Sequence, residues 1–175
     1  MSEFDFVLKF NLVDPSANPE DHIVALGEVG CTDALVGVGQ MGIIALDFSR
    51  EAASAREAVT SAIRDVKSAI PGAELVEVTP DIGGLTDVAD ILGFSRQYMR
   101  KIAYGCVPSF PAPVHEGKPS MWHLAPVLRW FENVRNKDVD DALIDLAQLN
   151  MHLNTVVSEA HTDRDEIDDL RALLA

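Results

Sequence analysis

Cysteine, basic side chains and long apolar runs are all scarce in this chain of 175 residues. It has two cysteines, Cys31 and Cys106, and their wide separation indicates reduced thiols rather than a disulfide framework. No apolar run approaches the roughly 20 residues that a membrane-spanning helix needs. The acidic start, residues 1–5, lacks the basic region of a secretory signal peptide. These absences predict a cytoplasmic protein without a membrane segment.

Residue patterns that carry chemistry are also missing. Cys106, His115 and His123 are spaced too loosely for a zinc site, and the serines, histidines and aspartates are too scattered to pair a nucleophile with a base. The glycines between residues 27 and 42 could bring a ligand close to the backbone, as in ACT-like sensor domains, or could simply allow sharp turns. They follow no phosphate-binding pattern, so we favour turns. We therefore predict no catalytic residue, no metal and no cofactor.

Charge is distributed unevenly along the chain, which has 14 Lys and Arg against 28 Asp and Glu and a net charge of −14. Residues 1–80 hold 5 basic and 13 acidic side chains, and residues 138–175 hold 2 and 10. Residues 81–137 hold 7 and 5, so the middle segment alone has a basic surplus. A hydrophobic fraction of 47% is ample for a packed core. We predict one or two small domains with the basic surface in the middle segment.

Residues 1–80 have the pattern of an α+β domain. The predicted elements are a strand over residues 4–12, a helix from Asn18 to about Val29, strands over 34–39 and 41–48 joined by a turn at Gly39-Gln40, a helix over 50–69 capped by Ser49, and a strand over 74–79. The order βαββαβ is that of the ferredoxin-like fold. This fold serves many tasks and specifies no function by itself.

The stretch LTDVADILGFSRQYMRKIAY, residues 85–104, has the pattern of a helix-turn-helix. Ala89 lets the helices approach, Gly93 tolerates a positive φ in the turn, and Ser95 can cap the second helix. The apolar positions between the helices are Val88, Leu92, Phe94, Met99 and Ile102. The predicted DNA-facing set is Ser95, Arg96, Gln97, Arg100, Lys101 and Tyr104.

Two arginines, a lysine and a glutamine suit both phosphates and the base edges of the major groove. The alternative is an ordinary helical hairpin whose charged face is simply solvated. Every inward position fits the motif, and the outward face is basic in an acidic protein. We therefore predict that this helix binds double-stranded DNA.

Residues 110–135 extend the motif into a winged helix. Pro111 and Pro113 exclude a helix and permit an edge strand, and two short extended runs surround a turn at residues 116–118. Pro126 lies near the first turn of a further helix, where its missing N–H costs nothing. We expect Trp122 in the core. The core-facing stripe of the further helix is Val127, Leu128, Trp130 and Phe131.

Residues 82–135 resemble the winged helix-turn-helix of AlpA-like and excisionase-like phage and bacterial regulators, which are distant relatives of the MerR type. The segments that carry the resemblance are VADILGFSRQYMRKI, FPAPV and MWHLAPVLRW. The resemblance implies that the second helix enters the major groove and that the wing touches the DNA backbone or minor groove. By position it implies groove contacts from Arg96, Gln97, Arg100 and Lys101, and wing contacts from His115 and Lys118.

Residues 138–175 are predicted to form a C-terminal helical segment. Apolar residues repeat there at spacings of three and four, as in a short heptad seam: Val139, Ala142, Leu146, Leu149, Leu153 and Val156. The seam could pack on the rest of this chain or form a homodimer, and we favour the homodimer because many major-groove readers bind two half-sites. The acidic stretch from Thr162 is either a short capping helix or a tail that a protein partner could bind.

The sequence as a whole predicts a DNA-binding regulator, either a transcriptional repressor or an excisionase-like regulator, and not an enzyme. Two alternatives stay open. An antitoxin-like or adaptor protein would bind a protein partner through the acidic C-terminal helix. A small-ligand sensor would use the N-terminal domain to control DNA binding.

Overall fold

The computed structural model describes residues 1–174 and shows an α+β protein with two antiparallel sheets. Ala175, the last residue of the predicted C-terminal segment, lies outside the described residues. The strands are β1 (Ser2–Asn11), β2 (Ala34–Gly37), β3 (Ile43–Ala52), β4 (Glu74–Thr79), β5 (Ile82–Gly83) and β6 (Trp122–His123). The α-helices are α1 (Ile23–Glu28), α2 (Ala55–Ala69), α3 (Leu85–Leu92), α4 (Arg96–Gly105), α5 (Leu124–Arg135), α6 (Asp141–Ala160) and α7 (Arg164–Leu174).

The larger sheet has the strand order β2-β3-β1-β4, and each neighbouring pair is antiparallel. Because side chains alternate across a strand, the apolar residues of β1 and β3 share one face of this sheet. They are Phe4, Phe6, Leu8, Phe10, Ile44, Leu46 and Phe48, and all are buried. The helix α2 packs into the same core through Ala58, Val59, Ala62 and Val66. The apolar face of the sheet, which follows from alternation along the strands, and the apolar face of α2, which follows from helical spacing, thus form one core.

Two element boundaries in this part differ from the prediction. The helix α2 begins at Ala55 with Ser54 as its N-cap, whereas the sequence predicted a start at Arg50 capped by Ser49. The strand β3 instead extends to Ala52, because it pairs with β1 along its whole length. The helix predicted from Asn18 consists of a 3-10 turn (Pro19–His22) followed by the short helix α1.

Arg50, which was predicted to begin a helix, lies in β3 and forms a polar network there. Its guanidinium donates to Asp33 (2.6 Å), to Asp65 (2.8 Å) and to the Ser61 hydroxyl (3.0 Å). Burial lowers the pKa of Arg50, but the hydrogen bonds to the two carboxylates outweigh that effect and raise it above its ordinary value. The network ties the loop before β2 to the helix α2.

A second core lies between α3, α4 and α5. Its buried residues include Val88, Leu92, Met99, Ile102, Phe110, Trp122, Leu128 and Phe131. The stripe predicted on α5, Val127, Leu128, Trp130 and Phe131, is buried. Phe110 contributes edge-on aromatic contacts to Trp130 and Phe131. This core holds together the region that the sequence predicted as residues 81–137.

The helix α6 belongs to both cores. Leu146 and Leu149 pack with the apolar face of the larger sheet, while Ile144 and Ala147 pack with the second core. The predicted heptad seam therefore lies mostly inside this chain, which is the intramolecular alternative. Val156, at the end of the seam, is 63% exposed. These contacts cover most of the apolar surface that dimerisation through the seam would need, and the homodimer itself stays a prediction.

A polar network joins α6 to the segment that connects the two cores. The side chain of Asn154 hydrogen bonds to the backbone of Val78 and to the carboxylate of Asp81 (2.8 Å). The other carboxylate oxygen of Asp81 lies 2.6 Å from Nδ1 of His123, on β6. Asp81 is 2% exposed, so its carboxylate is shielded from water. Its polar contacts with Asn154 and His123 replace the hydrogen bonds that water would make. The network holds β4, β5, β6 and α6 in one arrangement.

Candidate nucleic-acid interface

The helices α3 and α4, over which the sequence predicted a helix-turn-helix, are joined by a short turn at Gly93. Gly93 has a left-handed backbone (φ 69°), and the N–H of Phe94 donates to the carbonyl of Ala89 (2.8 Å). The Ser95 hydroxyl accepts from the N–H of Tyr98 (3.2 Å) and caps α4. The predicted inward positions are buried or partly buried, so the opposite face of α4 is free to carry polar residues.

The predicted DNA-facing side chains of α4 are all exposed: Ser95, Arg96, Gln97, Arg100, Lys101 and Tyr104. The guanidinium carbon of Arg100 lies 5.7 Å from the centre of the Tyr104 ring. Within residues 1–174, Arg96, Arg100 and Lys101 form no ion pair. Arg50, by contrast, is neutralised by two carboxylates. The cations of α4 therefore remain available to an external anion.

Four predicted residues meet in one groove, which we call the α4–wing groove. Arg96, Arg100 and Tyr104 of α4 line it together with Lys118, which lies in the turn after α4. The groove has a volume of about 750 Å³. Since Lys118 is 18 positions from Arg100 in sequence, tertiary structure alone brings these cations together. Gln97, Lys101 and His115 are exposed but lie outside the lining of this groove.

The predicted wing is shorter than a regular hairpin. One bridge, between His115 and Met121, closes the turn that carries Lys118. The prediction of two extended runs was therefore only partly right, because β6 pairs with β5 ahead of α3 rather than with residues 110–115. Trp122 is 3% exposed, and its indole N–H donates to the carbonyl of Pro111 (3.0 Å). The tryptophan fastens the turn to the second core.

The base of the α4–wing groove contains residues that the sequence analysis did not select. Thr86, Asp87 and Ser120 line it together with Gly84. A carboxylate oxygen of Asp87 accepts from the N–H of Gly84 (2.8 Å) and so caps α3. The position of Asp87 three residues after Gly84 could have indicated the cap, but nothing in the sequence places the cap beside α4.

Other kinds of site find little support in the described chain. Within residues 1–174, no three His, Cys, Asp or Glu side chains lie close enough together to hold a metal ion. Cys31 is buried and Cys106 is partly buried, and both are free thiols. None of the helices among these residues combines the length and apolar character needed to cross a membrane.

No protein-family model, curated protein or solved structure matches this chain. The geometry of the α4–wing groove is therefore the observation on which a function can be built.

Proposed function

We propose that this protein is a sequence-specific regulator that binds double-stranded DNA with α4 in the major groove. The observation that carries the proposal is the α4–wing groove, which Arg96, Arg100 and Lys118 line without ion-pair partners in the described chain. Unneutralised cations in an otherwise acidic protein suit a polyanionic ligand. A capped, rigid helix can present such side chains to base edges.

The arrangement of elements supports this proposal at the level of fold. We assign residues 1–80 to a ferredoxin-like domain, since the strand order β2-β3-β1-β4 with helices between the strands agrees with that topology. We assign residues 81–137 to a small winged helix-turn-helix. The pairing of β5 with β6 and the turn closed by His115 and Met121 support a short wing beside α4.

The proposed roles follow from position. Gln97 and Lys101, exposed on α4 outside the groove, would reach base edges and phosphates on the far side of the helix. Arg100 and Lys118 would hold a DNA backbone that lies along the groove, because a phosphate can contact both walls. The acidic remainder of the chain repels DNA at long range and so restricts binding that lacks sequence-specific contacts. Two copies would bind the two half-sites of an operator.

The experiment is a selection from random DNA duplexes, followed by titration of the selected duplex and of the DNA upstream of the protein's own gene. Wild type is compared with the Arg96→Ala/Arg100→Ala double variant in low and in physiological salt. The matched control is Arg56→Ala/Arg64→Ala, which removes the same charge from exposed positions on α2. Thermal unfolding of each protein verifies that the variants fold.

The expected result is a selected sequence motif that wild type and the α2 control bind equally and that the α4 variant does not bind. An equal loss in both variants would mean that net charge, not the α4 surface, determines binding. Failure of folded wild type to enrich any duplex would refute the proposed function.

A further inference from the structure

A second groove lies on another side of α4 and has a different chemistry. We call it the aromatic groove; it has a volume of about 430 Å³ and is lined by Phe94, Tyr98, Phe131, Val134, Arg135 and Lys137. Tyr98 is two positions from both Arg96 and Arg100, which places it about 200° around the helix from them. A molecule in the aromatic groove would therefore leave the α4–wing groove open.

The aromatic groove combines an apolar floor with a cationic rim. The ring of Phe94 lies 5.5 Å from that of Phe131 and 4.9 Å from that of Tyr98. Val134 is 51% exposed and Tyr98 is 40% exposed. The ammonium of Lys137 lies 4.8 Å from the centre of the Phe94 ring. Neither Lys137 nor Arg135 has an ion-pair partner within residues 1–174.

The helix α7 has the complementary surface. Leu170, Leu173 and Leu174 are 49%, 80% and 86% exposed. Glu166 and Asp169 flank this leucine patch at helical spacing, and neither forms an ion pair within the described chain. The other side of α7 faces α6, because Arg171 pairs with Glu159. An apolar patch with an acidic border is thus left without a partner.

The α7 helix of the same chain cannot fill the aromatic groove. The groove lies beside Lys137, just before α6 begins, whereas α7 packs on the far end of α6 through Glu159. Because a helix rises about 1.5 Å per residue, the 20 residues of α6 separate the two places by about 30 Å. The 11 residues of α7 span only about 16 Å. The occupant must come from another molecule, and a second copy carries the matching helix.

We propose that two copies of this chain form a reciprocal dimer in which α7 of each copy docks its leucine patch into the aromatic groove of the other. Glu166 and Asp169 then lie against Arg135 and Lys137 of the partner copy. The same pair of surfaces is used twice, so the assembly closes as a dimer. The inference rests on the homodimer of the proposed function and identifies its interface. It is measured without DNA, so that it can fail separately from the DNA-binding proposal.

The test is a charge-reversal experiment on the full chain, followed by sedimentation equilibrium. One variant reverses the groove (Arg135→Glu/Lys137→Glu) and the other reverses the helix (Glu166→Lys/Asp169→Lys). Each variant alone should be monomeric at micromolar concentration, because its own groove and helix then have like charges. An equimolar mixture should restore the dimer, because both reciprocal contacts then join opposite charges. Glu20→Lys/Glu28→Lys, at exposed positions in the N-terminal part, is the matched control and should remain dimeric.

Three results would overturn the inference: a monomeric wild type, a dimer that withstands both reversals, or two monomeric variants that do not recombine. An assembly larger than a dimer would also overturn it, because reciprocal docking closes after two copies. Circular dichroism confirms that each reversed variant keeps its helices. DNA titration of a monomeric variant then reports separately on the α4–wing groove.

Discussion

The carboxamide of Asn154 pairs with the backbone of Val78 in the way that a neighbouring strand would. Its Oδ1 accepts from the N–H of Val78 (2.8 Å), and its Nδ2 donates to the carbonyl of Val78 (2.8 Å). Val78 lies in β4, the edge strand of the larger sheet, whose unpaired backbone groups would otherwise need water or another chain. One side chain of α6 thereby closes a sheet edge and fixes α6 against the N-terminal part.

The variant Asn154→Ala should destabilise the protein, since it leaves both polar groups of the fully buried Val78 without partners. The expected loss in the free energy of unfolding is about 2–6 kcal/mol, given roughly 1–3 kcal/mol for each of the two unsatisfied groups. Urea denaturation measures it. Thr155→Ala, at the exposed neighbouring position of α6, should change stability by less than about 0.5 kcal/mol. Equal stability of the two variants would show that the amide pair contributes nothing.

Truncation of the chain should have opposite effects at two places. A chain that ends at Asn136 loses α6 and exposes both cores, because Leu146 and Leu149 belong to one and Ile144 to the other. We expect it to aggregate or to lose cooperative unfolding. A chain that ends at His161 loses only α7, which buries no residue, and should unfold cooperatively near the wild-type temperature. Differential scanning calorimetry distinguishes these outcomes, and a stable chain ending at Asn136 would refute the role of α6.

Replacement of Arg100 by alanine should weaken binding to the selected DNA by about 1–3 kcal/mol, or roughly 5- to 150-fold. If Arg100 neutralises one phosphate, the slope of log affinity against log salt should become shallower by about 0.9. Fluorescence anisotropy over a range of salt concentrations measures both quantities. Arg129→Ala, at an exposed position on α5, is the control. Unchanged affinity in folded Arg100→Ala would remove this residue from the interface.

The turn between α3 and α4 can be tested by replacing two glycines, one in the turn and one at the end of α4. Gly93→Ala should cost about 1–2 kcal/mol, because alanine is strained at a φ of 69°. Gly105→Ala, at the end of α4, meets no neighbouring atom and has no positive φ, so it should be neutral or should stabilise by up to about 1 kcal/mol. Chemical denaturation of both variants provides the comparison. A cost at Gly105 and none at Gly93 would contradict the described turn.

The two thiols should differ in reactivity. Burial raises the pKa of Cys31, and the Asp65 carboxylate raises it further, whereas Cys106 is partly exposed. A thiol reagent should therefore modify Cys106 first, as followed by mass spectrometry. The pKa of Cys31 is higher in the folded state than in the unfolded state. Its contribution to the free energy of unfolding is therefore lost as the pH rises above the ordinary thiol pKa. The stability advantage of wild type over Cys31→Ala should narrow with increasing alkaline pH.

Much of the secondary structure could be predicted because its signals are local. The alternation in β1, the glycine at the turn and the serine cap of α4 all act within a few residues. The start of α2 was mispredicted because Ser49 is as good a cap as Ser54, and only the pairing of β3 with β1 extends the strand to Ala52. The length of the predicted wing hairpin was overestimated because strand pairing again depends on distant residues. The strand β6 pairs with β5, which lies before α3 in the sequence, and a turn pattern cannot identify that partner.

The exposed cations of the candidate site followed from the sequence, but their grouping did not. Helical spacing placed Arg96 and Arg100 on one face of α4, since a helix repeats every 3.6 residues. That Lys118 lines the same groove depends on the packing of Trp122 against the second core. The aromatic groove has the same origin, because Phe94 and Val134 line one groove only when α5 packs on α3 and α4.

The amino-acid sequence by itself determined most of the helices, the alternating strand β1, the turn at Gly93 and the separation of basic from acidic segments, because each of these signals lies within the segment itself. Tertiary structure alone determined which surface the heptad seam packs against. A stripe of apolar residues specifies that a helix needs a partner but not which one. Here the two cores of the same chain supply that partner for most of the seam, whereas the leucine patch of α7 remains exposed. Long-range packing thus determined which apolar surface was left for a second molecule.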